Sequence, residues 1–125
     1  MIYYKKTEIS NAQVLTLADT PVTLIDAVAN KIAYCFVGVI DVLNVTTPYN
    51  NENLKIAIQG QLFYFIFLEA LKSTVDRSVI ASQFVSINPT NQFLVNTPTV
   101  IYTDANPVNG DGNLVVHTYY TLFEL

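Results

Sequence analysis

The chain has 125 residues, 51% of them hydrophobic and only 13% charged, with a formal net charge of −4. This length suits one domain with a core of its own. The six Lys and Arg residues are scattered, which argues against nucleic acid as a main partner because phosphate binding needs clustered cations. The apolar content exceeds what a small monomer readily buries, and so it favours self-association or a protein partner.

Two uninterrupted apolar runs, Ile32–Ile40 and Leu62–Leu68, are the longest in the sequence. Both fall well short of the ~20 residues that a membrane-spanning helix needs, so no membrane partner is expected. The first ten residues lack the pattern of a signal peptide. A single cysteine, Cys35, excludes an intrachain disulfide and a multi-cysteine metal site. Its apolar neighbours predict a buried, inert thiol.

The N-terminal residues 1–19 allow two interpretations. The apolar tip Ile2-Tyr3-Tyr4 suits a frayed end or an arm that adds a strand to a neighbouring molecule. The alternation over residues 14–19 predicts a strand. A short helix over Asn11–Leu17, capped by Ser10, is the alternative.

A Thr20-Pro21 break precedes two predicted strands. The first is the short segment Val22–Ile25, and a loop over residues 26–30 follows it. The second, Lys31–Leu43, is the longest strand predicted in this half of the chain. Its strongly apolar face is expected to consist of Ile32, Tyr34, Phe36, Ile40 and Val42. Gly38 interrupts that face and predicts a bulge or a bend.

The middle of the chain contains a loop, a strand and an ambiguous segment. Asn44–Asn53 is predicted to be a loop, and Leu54–Ile58 alternates as a strand with one wet face. Leu62–Val75 predicts a strand or extended entry into a short helix around residues 65–74. Arg77–Ile87 returns to an extended pattern, and residues 88–91 suit a turn.

The stretch Phe93–Phe123 predicts a long antiparallel hairpin, since a turn-rich decade separates two extended segments. Pro98 in its first arm predicts an edge position, because proline cannot donate to a β-ladder. Both faces of residues 114–123 are largely apolar. We expect the sandwich core to take Val116, Tyr120 and Leu122. The second layer or a neighbouring subunit is expected to take Val115, Tyr119 and Phe123.

Seven or eight extended segments separated by Pro, Asn and Gly turns predict a mainly β fold. The expected architecture is an antiparallel β-sandwich or jelly-roll-like domain over residues 1–125, with one short helix.

The Asp104–Asn113 segment superficially suggests a calcium loop, because hard cations prefer clustered oxygen ligands. It departs from the EF-hand pattern at three positions. Val108 occupies the fifth, glycine falls at the seventh, and Val115 occupies the twelfth, where a bidentate Glu belongs. We therefore predict a polar turn, with a metal site as the alternative.

The chain's one histidine, His117, would have to serve any Ser-His-Asp or Cys-His arrangement. No serine lies in a Gly-x-Ser-x-Gly turn, so a hydrogen-bonded sheet or interface histidine is predicted. The carboxylates stand alone in sequence: Asp19, Asp26, Asp41, Glu52, Glu69, Asp76, Asp104 and Asp111. No catalytic, cofactor-binding or metal residue is assigned, no cofactor is expected, and an enzyme is not expected.

Two stretches resemble small β-sandwich structural proteins of tailed bacteriophage virions. The first is Thr20–Ile25, followed by a small-residue loop, Lys31-Ile32, an apolar strand and the Tyr49-containing loop before Leu54–Ile58. The second is Asn109-Gly110-Asp111-Gly112-Asn113-Leu114, followed by Val115–Tyr120.

The resemblance implies a non-enzymatic virion protein that decorates the head or belongs to a head fibre or tail. Its implied partners are copies of itself, with a trimer favoured by analogy, and other virion proteins such as the major capsid protein or tail components. A ligand- or carbohydrate-binding β-sandwich, receptor-binding or lectin-like, is the alternative. The position of the aromatic side chains separates the two: between subunits in the first case, around a loop rim in the second.

Overall fold

The structure is a computed structural model that describes residues 1–50, 53–60, 63–67, 70–81 and 96–124. This described part is mainly β, as predicted. Its strands are β1 (Tyr3–Ile9), β2 (Val22–Ile25), β3 (Ile32–Leu43), β4 (Leu54–Ile58), β5 (Phe63–Phe67), β6 (Arg77–Ala81), β7 (Thr99–Tyr102) and β8 (Asn113–Phe123). Its helical elements are α1 (Asn11–Val14) and a 3-10 turn (Ala70–Lys72).

The strands form two four-stranded antiparallel sheets. Sheet A has the order β1-β8-β3-β6, and sheet B has the order β2-β7-β4-β5. Buried aliphatic side chains from both sheets form one core, with Ile40 and Val116 from sheet A and Ile56 and Ile101 from sheet B. The predicted class, a mainly β antiparallel sandwich, is confirmed.

Strand β8 lies inside sheet A, between β1 and β3. Its even-numbered residues turn inward: Val116 is fully buried, while Tyr120 and Leu122 are partly buried against the core. This agrees with the predicted core side of the strand. Val115 and Tyr119 turn away from sheet B, and Tyr119 is exposed. These two residues therefore do not meet the second layer, and their contact with a neighbouring subunit stays a prediction. The side chain of Phe123 lies outside the described part of the chain.

The hairpin predicted for the C-terminal stretch is wrong. Strand β7 lies in sheet B between β2 and β4, whereas β8 lies in sheet A. Residues 103–112 therefore cross from one sheet to the other, and Asn and Gly suit such a crossing as well as they suit a tight turn. The predicted edge position is also wrong, because Pro98 precedes β7 and that strand pairs on both sides.

Strand β3 contains a bulge at Phe36. Cys35 lies opposite Tyr120 and Val37 lies opposite Tyr119, which leaves Phe36 as the extra residue. The sequence predicts the bulge at Gly38, and the structure places it two positions earlier.

An extra residue reverses the alternation of inward and outward side chains. Ala33 and Cys35 face the core before the bulge, and Ile40 and Val42 face it afterwards. The predicted apolar face is thus correct for its last two members only. Tyr34 and the other early members lie on the opposite side of the strand.

The N-terminal segment follows the helical alternative after strand β1. Ser10 caps α1 through a reciprocal capping box, in which its hydroxyl accepts from Gln13 N and its N–H donates to Gln13 Oε1. Residues 15–19 form turns, so the strand predicted at 14–19 is wrong. The Ile2-Tyr3-Tyr4 tip leads into β1, where Tyr3 pairs with Tyr120 of the same chain.

The predicted bounds of the remaining elements are largely confirmed, but the wet face predicted for β4 is not, because Ala57 is buried. β2 and β4 have the predicted bounds, and β5 followed by the 3-10 turn matches the expected strand and short helix. Residues 44–50 form a loop. The extended segment from Arg77 is present as β6, while its remainder and the turn at 88–91 lie outside the described residues. No helix within the described ranges has the length and apolar character to cross a bilayer.

Candidate functional site

The surface of sheet A that faces away from sheet B carries polar and aromatic side chains from all four strands. Strand alternation and register place these residues together there. We call this surface the outer face of sheet A. It comprises Tyr4, Lys6, Glu8, Val39, Asp41, Ser78, Ile80, Val115, His117 and Tyr119.

A line of hydrogen bonds crosses this outer face. The Tyr4 hydroxyl lies 2.6 Å from Nδ1 of His117. Nε2 of the same ring lies 2.9 Å from Oδ2 of Asp41. The Ser78 hydroxyl donates to Oδ1 of Asp41. Each of the four strands thus contributes one residue to the line.

The chemistry of the acceptor fixes the direction of the bond to Asp41. A carboxylate only accepts, so Nε2 of His117 carries a hydrogen and donates it to Oδ2 of Asp41. The Ser78 hydroxyl, followed by the His117 ring, lowers the pKa of the Asp41 carboxyl. Both ring nitrogens of His117 are bonded within the sheet, which confirms the prediction of a hydrogen-bonded sheet histidine.

Apolar side chains surround the hydrogen-bonded line. Tyr4 is 50% exposed and Ile80 is 68% exposed. The rings of Tyr4 and Tyr119 lie 5.1 Å apart, and Val39 pairs directly with Ile80 across the strands. Exposed aromatic and aliphatic area together with satisfied polar groups is characteristic of a protein-binding surface.

The turn-rich connection from residue 103 to 112 is fixed by its own polar side chains. Oδ1 of Asp111 accepts from Thr46 N at 3.0 Å and from Thr47 N at 2.9 Å, and Oδ2 accepts from the Thr46 hydroxyl. These bonds, the Thr46 hydroxyl foremost, lower the pKa of the Asp111 carboxyl. The Asp111 oxygens therefore serve the neighbouring loop.

The other oxygen ligands suggested by the sequence are also engaged. Oδ1 of Asn106 accepts from Ala18 N at 2.9 Å and from Asp19 N at 3.2 Å. Asp104 forms an ion pair with Lys55 at 2.6 Å. These contacts support the interpretation as a polar turn. Among the described residues, no three His, Cys, Asp or Glu side chains group to hold a metal ion.

Tyr49 anchors the connection from below. Its hydroxyl donates to the Gly112 carbonyl and accepts from Nδ2 of Asn11, which also donates to the Gly110 carbonyl at 3.0 Å. Burial raises the pKa of the Tyr49 hydroxyl. The sequence gives little sign of this role, since an Asn-rich loop suggests an exposed ring.

Cys35 and His117 occupy opposite sides of sheet A. Cys35 faces the core, where burial raises the pKa of its thiol to about 12. His117 lies on the outer face. The sheet therefore separates these two residues, and they do not form a Cys-His pair. The position of Cys35 confirms the prediction of a buried thiol, while its inertness stays a prediction.

The carboxylates weighed as acid–base candidates are dispersed. Asp41 is bonded to His117, Asp26 lies 3.7 Å from Lys5, and Asp76 accepts from Val45 N. Asp19 and Asp104 belong to the contacts of the connection described above. Glu52 and Glu69 lie outside the described residues.

Comparisons with known proteins identify a fold. No protein-family model matches the sequence, and no curated protein gives a significant match to it. The fold is similar to that of a chain in the cyanophage Pam1 capsid asymmetric unit, with a TM-score of 0.55 and 11% sequence identity. The likeness covers 96% of this chain and 82% of the phage chain. At this identity the two chains share a fold, and function must be argued from the surface.

Proposed function

We propose that this chain is a non-enzymatic structural subunit of a bacteriophage virion. The observation that carries the proposal is the fold shared with a capsid chain over 96% of this sequence. The strand order supports it, because a jelly roll also has eight strands in two facing antiparallel sheets, as β1-β8-β3-β6 and β2-β7-β4-β5 are. Viral capsid domains are among the proteins that use this architecture.

The subunit self-associates and binds other virion proteins, such as the major capsid protein or tail components. In this position it decorates or stabilises the capsid, or forms part of a head fibre or tail. The exposed apolar side chains of the outer face of sheet A support self-association. The trimer implied by the resemblance rests only on analogy with threefold head decorations and fibres.

The placement of the aromatic side chains favours this proposal over a carbohydrate-binding module. Tyr4 and Tyr119 lie on a sheet face. Tyr49, which belongs to a loop, is buried under the connection. A sugar platform at a loop rim needs exposed rings in loops, and the loops within the described residues supply none. The lectin-like alternative is therefore the weaker candidate.

The test is detection of the chain in purified particles of the phage that encodes it. Mass spectrometry of gradient-purified virions should find the chain at a fixed stoichiometry to the major capsid protein. Immunogold labelling should then place it on the head, fibre or tail. Its absence from intact particles, together with its presence in the lysate supernatant, would contradict the proposal.

A further inference from the structure

We propose that the outer face of sheet A binds the same face of a second copy of this chain about a two-fold axis. This inference deepens the self-association in the proposed function, and it names the surface and the symmetry. Its occupant is a second copy because the surface has the composition, the size and the charge pattern that a self-complementary contact requires.

The composition is that of an interface centre. Tyr4, Tyr119 and Ile80 are exposed, and Val39 is half-buried beside Ile80. Tyrosine contributes a large apolar ring with a polar end, which is why it is enriched where proteins meet. These side chains place apolar area on each of the four strands.

The polar groups of this face tolerate burial. The Tyr4 hydroxyl, both nitrogens of His117 and both oxygens of Asp41 are bonded to one another or to Ser78. A buried polar group is costly chiefly when it lacks a partner. A second copy can therefore cover the line without leaving an unpaired donor or acceptor in it.

The size is of the right order. Strands lie about 4.8 Å apart and rise about 3.4 Å per residue. β1 is paired with β8 over seven positions and β6 with β3 over five, so the face spans a plane of about 400 Å². Projecting side chains increase the accessible area beyond this plane. The result approaches the roughly 800 Å² that each partner contributes to a standard interface.

The charge pattern selects a two-fold arrangement. Lys6 and Glu8 lie two residues apart on β1, with Lys6 Nζ and Glu8 Oε1 separated by 3.7 Å, and both side chains are more than half exposed. A two-fold axis that crosses β1 near Thr7 sets Lys6 of each copy against Glu8 of the other. Opposite charges then meet twice, as a self-complementary surface requires.

The first experiment introduces a charge among the exposed apolar side chains of the outer face of sheet A. Ile80→Lys should be tolerated by the isolated fold, since Ile80 is 68% exposed. In the paired state it buries an uncompensated cation, so the dissociation constant should rise at least about tenfold. Sedimentation velocity over a concentration series measures this change. Val108→Lys is the matched control, because Val108 is an exposed aliphatic residue in the connection, away from sheet A.

The second experiment tests the symmetry. Lys6→Glu places like charges against each other and should weaken association, whereas the double variant Lys6→Glu/Glu8→Lys should restore it. Lys31→Glu, in the loop before β3, is a control with the same change of net charge. Circular dichroism of every variant verifies that the fold is retained.

The outcomes separate the two proposals. An even-numbered assembly that dissociates with Ile80→Lys and Lys6→Glu, but not with the controls, supports the two-fold contact. A monomer, a trimer, or an assembly insensitive to Ile80→Lys overturns it. Detection in virions tests the proposed function independently, so a trimer found in particles would refute this contact and leave the virion role standing.

Discussion

The ring of Tyr49 lies directly against the backbone of Gly110. A Cβ atom added at Gly110 would lie 2.2 Å from Cγ of that ring, far inside van der Waals contact. Only glycine fits at this position, because the ring of Tyr49 leaves no room for a Cβ atom. The contact fixes the connection between the two sheets over the loop that carries Tyr49, and it holds the Gly112 carbonyl above the Tyr49 hydroxyl.

Gly110→Ala should consequently destabilise the fold. Either the ring or the connection must move, and overpacking of this kind costs about 1–3 kcal/mol. Urea unfolding measures the loss. The double variant Gly110→Ala/Tyr49→Ala is the control, since without the ring the added methyl group meets no obstacle. A strong coupling free energy between the two sites is expected. Additive effects would show that the ring and the glycine are not in contact.

Asp41 should make the stability of the protein depend on pH in acid. Its pKa is lowered in the folded state, so its contribution is fully present above its ordinary value of 3.8 and is lost as the pH falls through the lowered folded value. Asp41→Asn cannot titrate at this position. At neutral pH the wild type should have a higher Tm than Asp41→Asn, and this difference should become smaller below pH 3.8.

Ser78→Ala provides the matched test for this assignment, because the Ser78 hydroxyl is the largest cause of the lowered pKa. Without this hydroxyl, the pKa of Asp41 should rise part of the way back to its ordinary value. The loss of Tm between neutral and acidic pH should then be smaller than in the wild type. Parallel curves of Tm against pH for the wild type and Asp41→Asn would contradict the role assigned to Asp41.

Calcium should leave Tm unchanged, because the oxygens of Asp111 and Asn106 already accept hydrogen bonds from neighbouring backbone N–H groups. Differential scanning calorimetry with calcium and with chelator is the measurement. An Asp111→Asn variant measured under both conditions should show no difference either. A calcium-dependent rise of Tm in the wild type alone would identify a metal site, since a ligand selective for the native state stabilises it by mass action.

The adjacent residues Tyr119 and Tyr120 provide a paired comparison across one strand. Tyr120 is partly buried against the core and stacks on Tyr3 at 5.4 Å. Tyr120→Ala should cost about 3 kcal/mol, the low end of the range for losing an aromatic core residue. Tyr119→Ala should change folding by less than about 1 kcal/mol, as expected at a surface site, and should weaken association.

Thermal unfolding at low concentration and sedimentation velocity distinguish the two effects. Equal losses of folding stability for the two variants would mean that β8 does not separate a core face from an outer face.

The local chemistry of the sequence predicts most elements of this fold. Val22–Ile25 and Leu54–Ile58 are bounded by Pro, Asn and Gly, and the structure gives both strands those bounds. The alternation over residues 14–19 misleads because the capping box at Ser10 favours a helix just before it. The bulge at Phe36 also escapes prediction, since nothing in its own side chain marks it as the extra residue.

The candidate site could be predicted only in part. Alternation along β8 predicts that His117 lies on the side of the strand that faces away from the core. Its bond to Asp41 depends on the register between β3 and β8, which are separated by more than 60 residues of sequence. Register at such a distance is set by the packing of the whole sandwich, and no local pattern records it. For the same reason, the sequence does not predict the contact between Tyr49 and Gly110.

The position of β8 has a consequence for synthesis of the chain. Sheet A is completed by a strand that follows every other described strand in sequence, yet that strand lies between β1 and β3. During synthesis, the edges of β1 and β3 that pair with β8 remain unpaired until residues 113–123 have left the ribosome. Pairing across so long a stretch of chain is slow, and open edges invite aggregation. Sheet A should therefore form only after β8 has been synthesised, and its folding should benefit from a chaperone that shields these early strands.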